Sequence, residues 1–540
     1  MPLISTTIRL FFIIFLFIQF HDVNGQEQDL IRGELFNSQD KKPISFATVL
    51  VKNKAKGAVS NTDGSFIIPY KYKLLGDTLV ISLIGYATKE IPLSTLERNQ
   101  VNLIPLDEKV DNLSEVVVMA SEDKKRRRKK DRTSPSDIVT LALKKIPKNY
   151  PFKPFSYVGY YRDYQKKEGK YVNLNEALLQ VFDTGFGNKD LEETQTRIYK
   201  YERNPNFPFD TLASQFYDYA NKSKIVSDFK LGIPGQNEFI LLRLHDAIRN
   251  YNVNSYDFVN RLDVNIIDNH ELRLLSDTYL NNISLYTVSL YKRLKNFRVY
   301  GKLYISKGDY KIYKMQYAVY DVSKPSIEEN SSDNPSLTDD NPEKLVFEII
   351  VEYQRQDGRM YPNYISFNNS FEVLQKPKFY IEDAVVHFSK GLFSQNSIVV
   401  AFNNFPVFKD ATKISNYEIE YKGEVINIEK IEMKKYRVFL YLDTEDSSNL
   451  NQMISSNDFA AKDLIIKAEN IKDIDGNIIN EGEYESHNQY REFFVQELKL
   501  QETKPLDTLF MYKDRPIFKE QNLAPFEKLE DYWMNTPLKN

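Results

Sequence analysis

The sequence predicts a mainly β, multi-domain protein, and three observations carry that prediction. At 540 residues the chain exceeds one compact core and has room for about three or four domains of ordinary size. Its aromatic content lies in 36 Tyr and 35 Phe, rings that pack well on a pleated surface. Short apolar runs recur along the chain, several with strict alternation, and Asp, Asn, Gly and Pro turns separate them. Hydrophobic residues at 42% and charged residues at 27% are the balance of a globular chain, which excludes wholesale disorder. The absence of cysteine excludes a disulfide framework, a zinc–thiolate site, an iron–sulfur cluster, a cysteine nucleophile and acylation of an N-terminal cysteine.

Taken in order, residues 1–25 read as a secretory signal. One early cation, Arg9, precedes the apolar run from Leu10 to Ile18, and Val23-Asn24-Gly25 ends in a small residue where a peptidase would cut before Gln26. That run is short of the roughly 20 residues of a membrane span, and no later stretch approaches that length. The mature chain is therefore expected outside the cytoplasm, without a membrane span. Formal charge is −3, from 72 basic and 75 acidic residues, which argues against a nucleic-acid partner. The charge is unevenly placed. Lys124, Lys125, Arg126, Arg127, Arg128, Lys129, Lys130 and Arg132 flank Asp131 and carry +7 within the linker 107–133, leaving −10 elsewhere. Such a block repels itself and stays solvated; its candidate role is contact with anionic lipid headgroups or lipopolysaccharide phosphates.

Residues 29–106 form the first folded unit. Strand-type runs begin at Ser45, Ser65 and Asp77, and Asn61-Thr62-Asp63-Gly64 supplies a turn because Asp bonds to nearby backbone and Gly accepts positive φ. The order Ile31-Arg32-Gly33, Pro43 to Val49, Gly57 to Phe66 and Ile81 to Tyr86 resembles the carboxypeptidase-regulatory-like domain. The resemblance implies a transthyretin-like seven-stranded β-sandwich of a kind widespread in Bacteroidota envelope proteins, including the N-terminal extension of SusC-type TonB-dependent receptors. Leu113 to Val118 is similar to the segment that follows the module there. The chain then departs from the receptor pattern, with the basic block where a plug would begin and no length for a large barrel.

Residues 134–390 are expected to form a β-rich central domain with a few helices, in the manner of a half-barrel carrier. Ser134-Pro135-Ser136-Asp137 opens a helix with a cap, a first-turn proline and an acid three residues on. Phe297, Val299, Gly301, Leu303 and Ile305 alternate with Arg298, Tyr300, Lys302 and Tyr304; after Lys307-Gly308-Asp309 the pattern resumes through Tyr313 to Val319. This predicts an antiparallel hairpin with one face packed and one wet. A second strand pair flanks Asp357-Gly358. Ser326 to Glu343 holds six acids and no base and is expected to be a disordered loop.

Residues 394–487 give further strand runs and the turn Asp473 to Asn477, and resemble an Ig-like domain of S-layer and adhesion proteins. Residues 493–540 remain as a C-terminal tail holding the sole tryptophan, Trp533, expected to dock by its aromatics.

The chemical motifs are sparse. A carboxypeptidase-type zinc site needs a His followed by a Glu three places on, and a zincin needs HExxH; His245, His270, His387 and His487 meet neither pattern. No nucleophile elbow, P-loop or complete dinucleotide fingerprint occurs. Arg162 with Glu176 reads as a charge pair of the sheet, and Asp473 with Asp475 as a hairpin turn in preference to a calcium site. Exposed aromatics can form a sugar-stacking platform, although alternating Tyr and Phe more often line a core. No catalytic, cofactor or metal residue is assigned. The expectation is a non-enzymatic, exported protein of the periplasm, outer membrane or cell surface, binding or scaffolding envelope protein or glycan. A carrier for lipid or another apolar ligand, and a glycan hydrolase with unidentified carboxylates, stand as alternatives.

Overall fold

The computed structural model describes residues 29–109, 133–323 and 344–538, apart from 55, 228, 255–260, 388–395, 457, 503 and 527–528. Residues 1–25, read above as an export signal, the basic run 124–132 and the acidic stretch 326–343 lie outside the described residues. Two compact units divide the chain: Met1–Phe209, Leu231–Ser370 and Asn488–Asn540 form one, Asp210–Lys230 and Phe371–His487 the other.

The first unit begins with seven short strands: β1 (Leu30–Asn37), β2 (Thr48–Val51), β3 (Gly57–Val59), β4 (Ser65–Pro69), β5 (Thr78–Ser82), β6 (Lys89–Pro92) and β7 (Val101–Leu106). They make two sheets, β4-β1-β7 and β3-β2-β5-β6. Alternate residues, Ile31 and Leu35 of β1, Val49 and Val51 of β2, Leu79 and Ile81 of β5, meet in one core, as the period of two requires. The turn read at Asn61–Gly64 is present: Asp63 Oδ1 accepts the Ser65 N–H at 2.9 Å and Gly64 sits at φ 77°.

A helix Pro135–Lys144 follows, closed by the expected capping box between Ser134 and Asp137. The chain then lays down β8 (Phe155–Lys167), β9 (Lys170–Asp183), β10 (Gln195–Arg203), β11 (Lys224–Ile225), β12 (Glu271–Leu274), β13 (Thr278–Leu280), β14 (Ile283–Arg293), β15 (Phe297–Ser306), β16 (Ile312–Asp321), β17 (Lys344–Gln356) and β18 (Arg359–Leu374). Both expected hairpins form: Leu303 pairs with Met315 across β15 and β16, and β17 turns into β18 at Asp357 and Gly358, both at positive φ.

The second unit contains β19 (Ile381–His387), β20 (Ser397–Phe402), β21 (Tyr417–Tyr421), β22 (Glu424–Val425), β23 (Ile428–Lys434), β24 (Arg437–Leu442) and β25 (Leu464–Ala468). They form sheets of order β19-β20-β24-β23 and β22-β21-β25 around Ile398, Val400, Ile419, Val438 and Leu440. This unit also takes in 210–230, where β11 pairs with Glu372 and Val373 and Lys224 donates to the carbonyls of Ala213 and Gln215.

The chain then runs as β26 (Tyr484–Lys499) between β8 and β18, completing a 12-stranded sheet of main order β10-β9-β8-β26-β18-β17-β16-β15-β14-β12. Phe493 to Lys499, read from sequence as the start of a tail, are the second half of this strand. No alternation marks them because both faces are covered, with Phe493, Phe494 and Val495 all buried.

On one face of the sheet lie Tyr161 of β8 and Phe493 of β26, which pack edge-on against Phe239 of the helix Glu238–Leu244. On the other, Val158, Tyr160, Tyr364 and Phe494 pack against Val59 of the N-terminal sandwich and Tyr532 of the C-terminal segment. Phe46 stacks on Tyr364 at 5.3 Å. The tail docks by its aromatic residue, and the receiving site is the core of the N-terminal sandwich: Trp533 is 2% exposed there and its indole N–H donates to the Ile67 carbonyl at 2.8 Å.

Candidate functional site

Two clusters of buried ionisable groups flank the middle of the large sheet. The first lies on the face that carries the helix Glu238–Leu244. Asp183 ends β9, Asp190 opens the short helix Asp190–Glu193, Arg243 lies in the last turn of the helix Glu238–Leu244, and Asp246 and Arg249 follow it. The local sequence fixes the helix entry, because Asn237 accepts the Ile240 N–H as its cap. Arg249 meets Asp183 as a fork, Nε to Oδ2 and Nη2 to Oδ1, both at 3.0 Å. Arg243 donates Nε to Asp190 Oδ2 at 3.1 Å and Nη2 to Asp183 Oδ2 at 3.2 Å, and reaches the Tyr157 hydroxyl with Nη1.

Burial works against the charge of Asp190, Arg243 and Arg249, and the opposite charges beside them restore it. Burial acts to raise Asp190, yet Arg243 and Arg249 beside it hold its carboxyl below the usual range. Burial likewise acts to lower Arg243, and Asp190 with its neighbours keeps it fully charged. Asp246 differs. Burial pushes it up to about 6, against the hydrogen bonds it accepts from the Arg249 N–H and the Tyr353 hydroxyl. The cavity among Tyr157, Asp183, Asp190, Arg243 and Asp246 is ≈ 20 Å³, enough for water and too small for a sugar or an acyl chain. Three carboxylates therefore meet in one place, two of them bound to guanidinium groups.

The second cluster lies on the opposite face. Arg162 and Glu492, cross-strand neighbours in β8 and β26, are both fully buried and joined Nε to Oε2 at 2.5 Å. Arg162 also reaches Asn61 Oδ1 of the N-terminal sandwich and the Asn535 carbonyl of the C-terminal segment at 3.2 Å. Tyr364 donates its hydroxyl to Glu492 Oε1 at 2.8 Å. Burial opposes the charge of Arg162, and Glu492 overrides it. Glu176, paired with Arg162 in register, is engaged elsewhere: it accepts the Tyr160 hydroxyl at 2.5 Å, the Thr536 hydroxyl at 2.7 Å and the Asn204 amide at 2.7 Å. This cluster joins three parts of the chain, which is a structural task. Its sequence signal was half visible, since Arg162 stood out, but its partner lies 330 residues away.

The histidines are dispersed. His245 faces its own helix, Nδ1 to the Leu241 carbonyl at 2.8 Å, and stacks on Phe367. His270 bridges the Ile266 carbonyl and the Tyr317 hydroxyl, and burial lowers it to about 4. Among the described residues no group of three or more His, Cys, Asp or Glu is placed to hold a metal ion. Asp473 closes its turn by accepting the Asp475 and Asn477 N–H groups at 3.0 and 2.7 Å. The candidate surface-contact residues Lys124 to Lys130 and Arg132 lie outside the described residues.

Residues 31–118 match the family model of the CarboxypepD_reg-like domain, which agrees with the seven-stranded sandwich. No curated protein matches the chain. Among solved structures, a LolA superfamily protein from Nitrosomonas europaea is similar at 12% identity and a TM-score of 0.19, covering 44% of this chain and 86% of that one. A DUF1329 family protein from Desulfovibrio piger gives 12% identity, TM-score 0.20, and 44% and 87% coverage. An outer membrane lipoprotein-sorting protein domain from Vibrio parahaemolyticus gives 10%, 0.20, and 43% and 84%.

Proposed function

We propose that this chain is an exported cell-envelope protein that acts by binding or scaffolding an envelope protein or glycan, without catalysis. The observation that carries this reading is where the ionisable groups go. Both buried clusters are ion-paired: Arg243 and Arg249 with Asp183 and Asp190, beside a cavity of water size, and Arg162 with Glu492 on the opposite face. A catalytic carboxylate or base needs access to substrate, whereas these groups tie the helix, the N-terminal sandwich and the C-terminal segment to the sheet. The N-terminal module, the signal pattern of residues 1–25 and the resemblance of 394–487 to Ig-like domains support a Bacteroidota envelope origin, with periplasmic or outer-membrane location. Fractionation of cells carrying the full chain, with protease accessibility of intact cells, tests this. A full-length chain confined to the cytosol overturns it.

A second reading, a carrier for lipid or another apolar ligand, draws on the helix-side face of β14 to β17. Val288, Leu290, Val299, Leu303, Met315 and Val351 make it continuously apolar, and the helix Leu262–Asn269 is tied to it by the His270–Tyr317 hydrogen bond of 2.8 Å. Native mass spectrometry of the purified chain should show bound lipid if this reading holds, and protein mass alone if it does not.

A further inference from the structure

On the other face of the same strands, Tyr300 and its neighbours Arg298 and Lys302, which sequence alternation assigned to solvent, are joined by aromatic and basic residues of β14 and β16. Register places Tyr291 of β14 directly across from Tyr300 of β15, with ring centroids 5.5 Å apart. Tyr320 of β16 stands diagonal to Tyr300, at 5.8 Å. Three rings on three adjacent strands span roughly 10 Å at the usual strand spacing, and all three are half-buried. The rings are inclined to one another, by 39° between Tyr291 and Tyr300 and 65° between Tyr300 and Tyr320, so a sugar would meet each ring on its own part-exposed surface.

Around them stand cations with no ion-pair partner among the described residues. Arg293 and Arg298 are cross-strand partners on this face, and Lys302 lies two residues beyond Tyr300 on the same side, opposite Ser289 and Gln316. Like charges directly opposed across a ladder are destabilising. Arg298 donates to the Leu294 and Phe297 carbonyls at 2.9 and 3.0 Å, and none of the three cations forms an ion pair with a described carboxylate. The described acids of the face have other partners: Glu352 pairs with Lys314 at 2.7 Å, Glu348 accepts the Asn368 amide at 3.1 Å, and Glu271 of β12, directly across from Tyr291, lies 3.6 Å from Arg273. The contrast with the closed ionic clusters inside the molecule is sharp. There each guanidinium has its carboxylate; here two guanidinium groups and an ammonium ring an aromatic surface, with no ion-paired carboxylate among the described residues.

We propose that the face bearing Tyr291, Tyr300, Tyr320, Arg293, Arg298 and Lys302 binds an acidic polysaccharide, its sugar rings stacked on the tyrosines and its carboxylates held by the arginines and the lysine. This rests on the non-catalytic binding reading above and names its ligand class and site. Guanidinium suits the task, since its planar fork matches a carboxylate, and ring stacking supplies contact that charge alone does not.

The test is titration of the full chain with polygalacturonate, with neutral dextran and polyglutamate as comparisons, by isothermal calorimetry at low and high salt. Polygalacturonate should bind in a salt-sensitive manner and the other two at least tenfold more weakly. Arg293→Gln with Arg298→Gln, and separately Tyr300→Ala with Tyr320→Ala, should each weaken binding at least tenfold, with urea midpoints like the unmodified chain as proof of folding. If one pair fails to fold, Tyr291→Ala and Lys302→Gln take its place. Equal binding of polyglutamate overturns the proposal, as does polygalacturonate binding that survives both pairs of changes; in the latter case glycan binding itself stands and only its site is lost. No polygalacturonate binding also overturns it, while cell fractionation judges the wider reading independently. A dimer that dissociates in these variants would assign the face to a second copy and overturn it too.

Discussion

Replacing Trp533 by alanine probes the least expected contact of the fold, the C-terminal segment completing the core of the N-terminal sandwich. The side chain is 2% exposed, lies edge-on to Tyr72 at 6.1 Å, and donates to the Ile67 carbonyl at 2.8 Å. Truncating a buried aromatic of this size costs about 3–5 kcal/mol, and orphaning the carbonyl about 1 kcal/mol more. A loss of about 4–6 kcal/mol is a large fraction of the roughly 5–15 kcal/mol that ordinarily holds a domain folded. Trp533→Phe keeps most of the buried area and loses the N–H, so it should cost about 1–2 kcal/mol. Urea unfolding followed by circular dichroism measures both. Because Trp533 is the only tryptophan, its fluorescence in the unmodified chain reports this one site. Emission should be blue-shifted and shielded from acrylamide in the native state, and should move to the red on unfolding. A native spectrum of a water-exposed indole, or an alanine variant within about 1 kcal/mol of the parent, would refute the docking argument.

Arg162→Met strands Glu492 in a buried site and should destabilise by about 3–5 kcal/mol; adding Glu492→Gln should recover much of that loss, which a double-mutant cycle in urea would measure. Gly159 has no room for a methyl group, since a Cβ there would lie 2.4 Å from the Phe494 carbonyl oxygen, so Gly159→Ala should cost about 1–3 kcal/mol of unfolding free energy. Burial raises Asp163 to about 7 and Asp246 to about 6. The folded state holds these protons more tightly than the unfolded chain, so their contribution favours folding below the ordinary carboxylate pKa. It is lost as pH rises from about 4 to about 7, at up to roughly 1.4 kcal/mol per pH unit for each group. Asp190, held low by Arg243 and Arg249, acts in the opposite sense, its contribution present above the ordinary pKa and lost on acidification. Urea midpoints between pH 4 and 8 should therefore fall less steeply toward pH 8 in Asp163→Asn and Asp246→Asn than in the parent; an unchanged slope would contradict the raised values.

What could be read along the chain were features whose partners lie close by. The capping box at Ser134 and Asp137 closes within one helical turn. The hairpins at Lys307–Asp309 and Asp357–Gly358 need only alternation and a turn residue with positive φ. The N-terminal sandwich was legible through its turns and their order. Tertiary structure decided the features whose partners are distant. β26 could not be recognised because it is covered on both faces, so alternation is lost, and because its charges at Arg491 and Glu492 look like surface until Glu238 and Arg162 are placed against them. The two ionic clusters were invisible for the same reason, since Asp183, Asp190, Arg243 and Arg249 become a unit only when β9 and the helix Glu238–Leu244 meet.

By itself the sequence determined that this is a mainly β, cysteine-free chain with an N-terminal seven-stranded module, and it separated the wet side of β15 from its packed side. Only the tertiary structure decided that the C-terminal segment finishes that module's core, and that Arg293 and Arg298 stand opposed beside a tyrosine ladder. The physical reason is range. Backbone propensity, capping and alternation act over a few residues, whereas burial of a charge or a ring is settled by whatever element the folded chain brings against it.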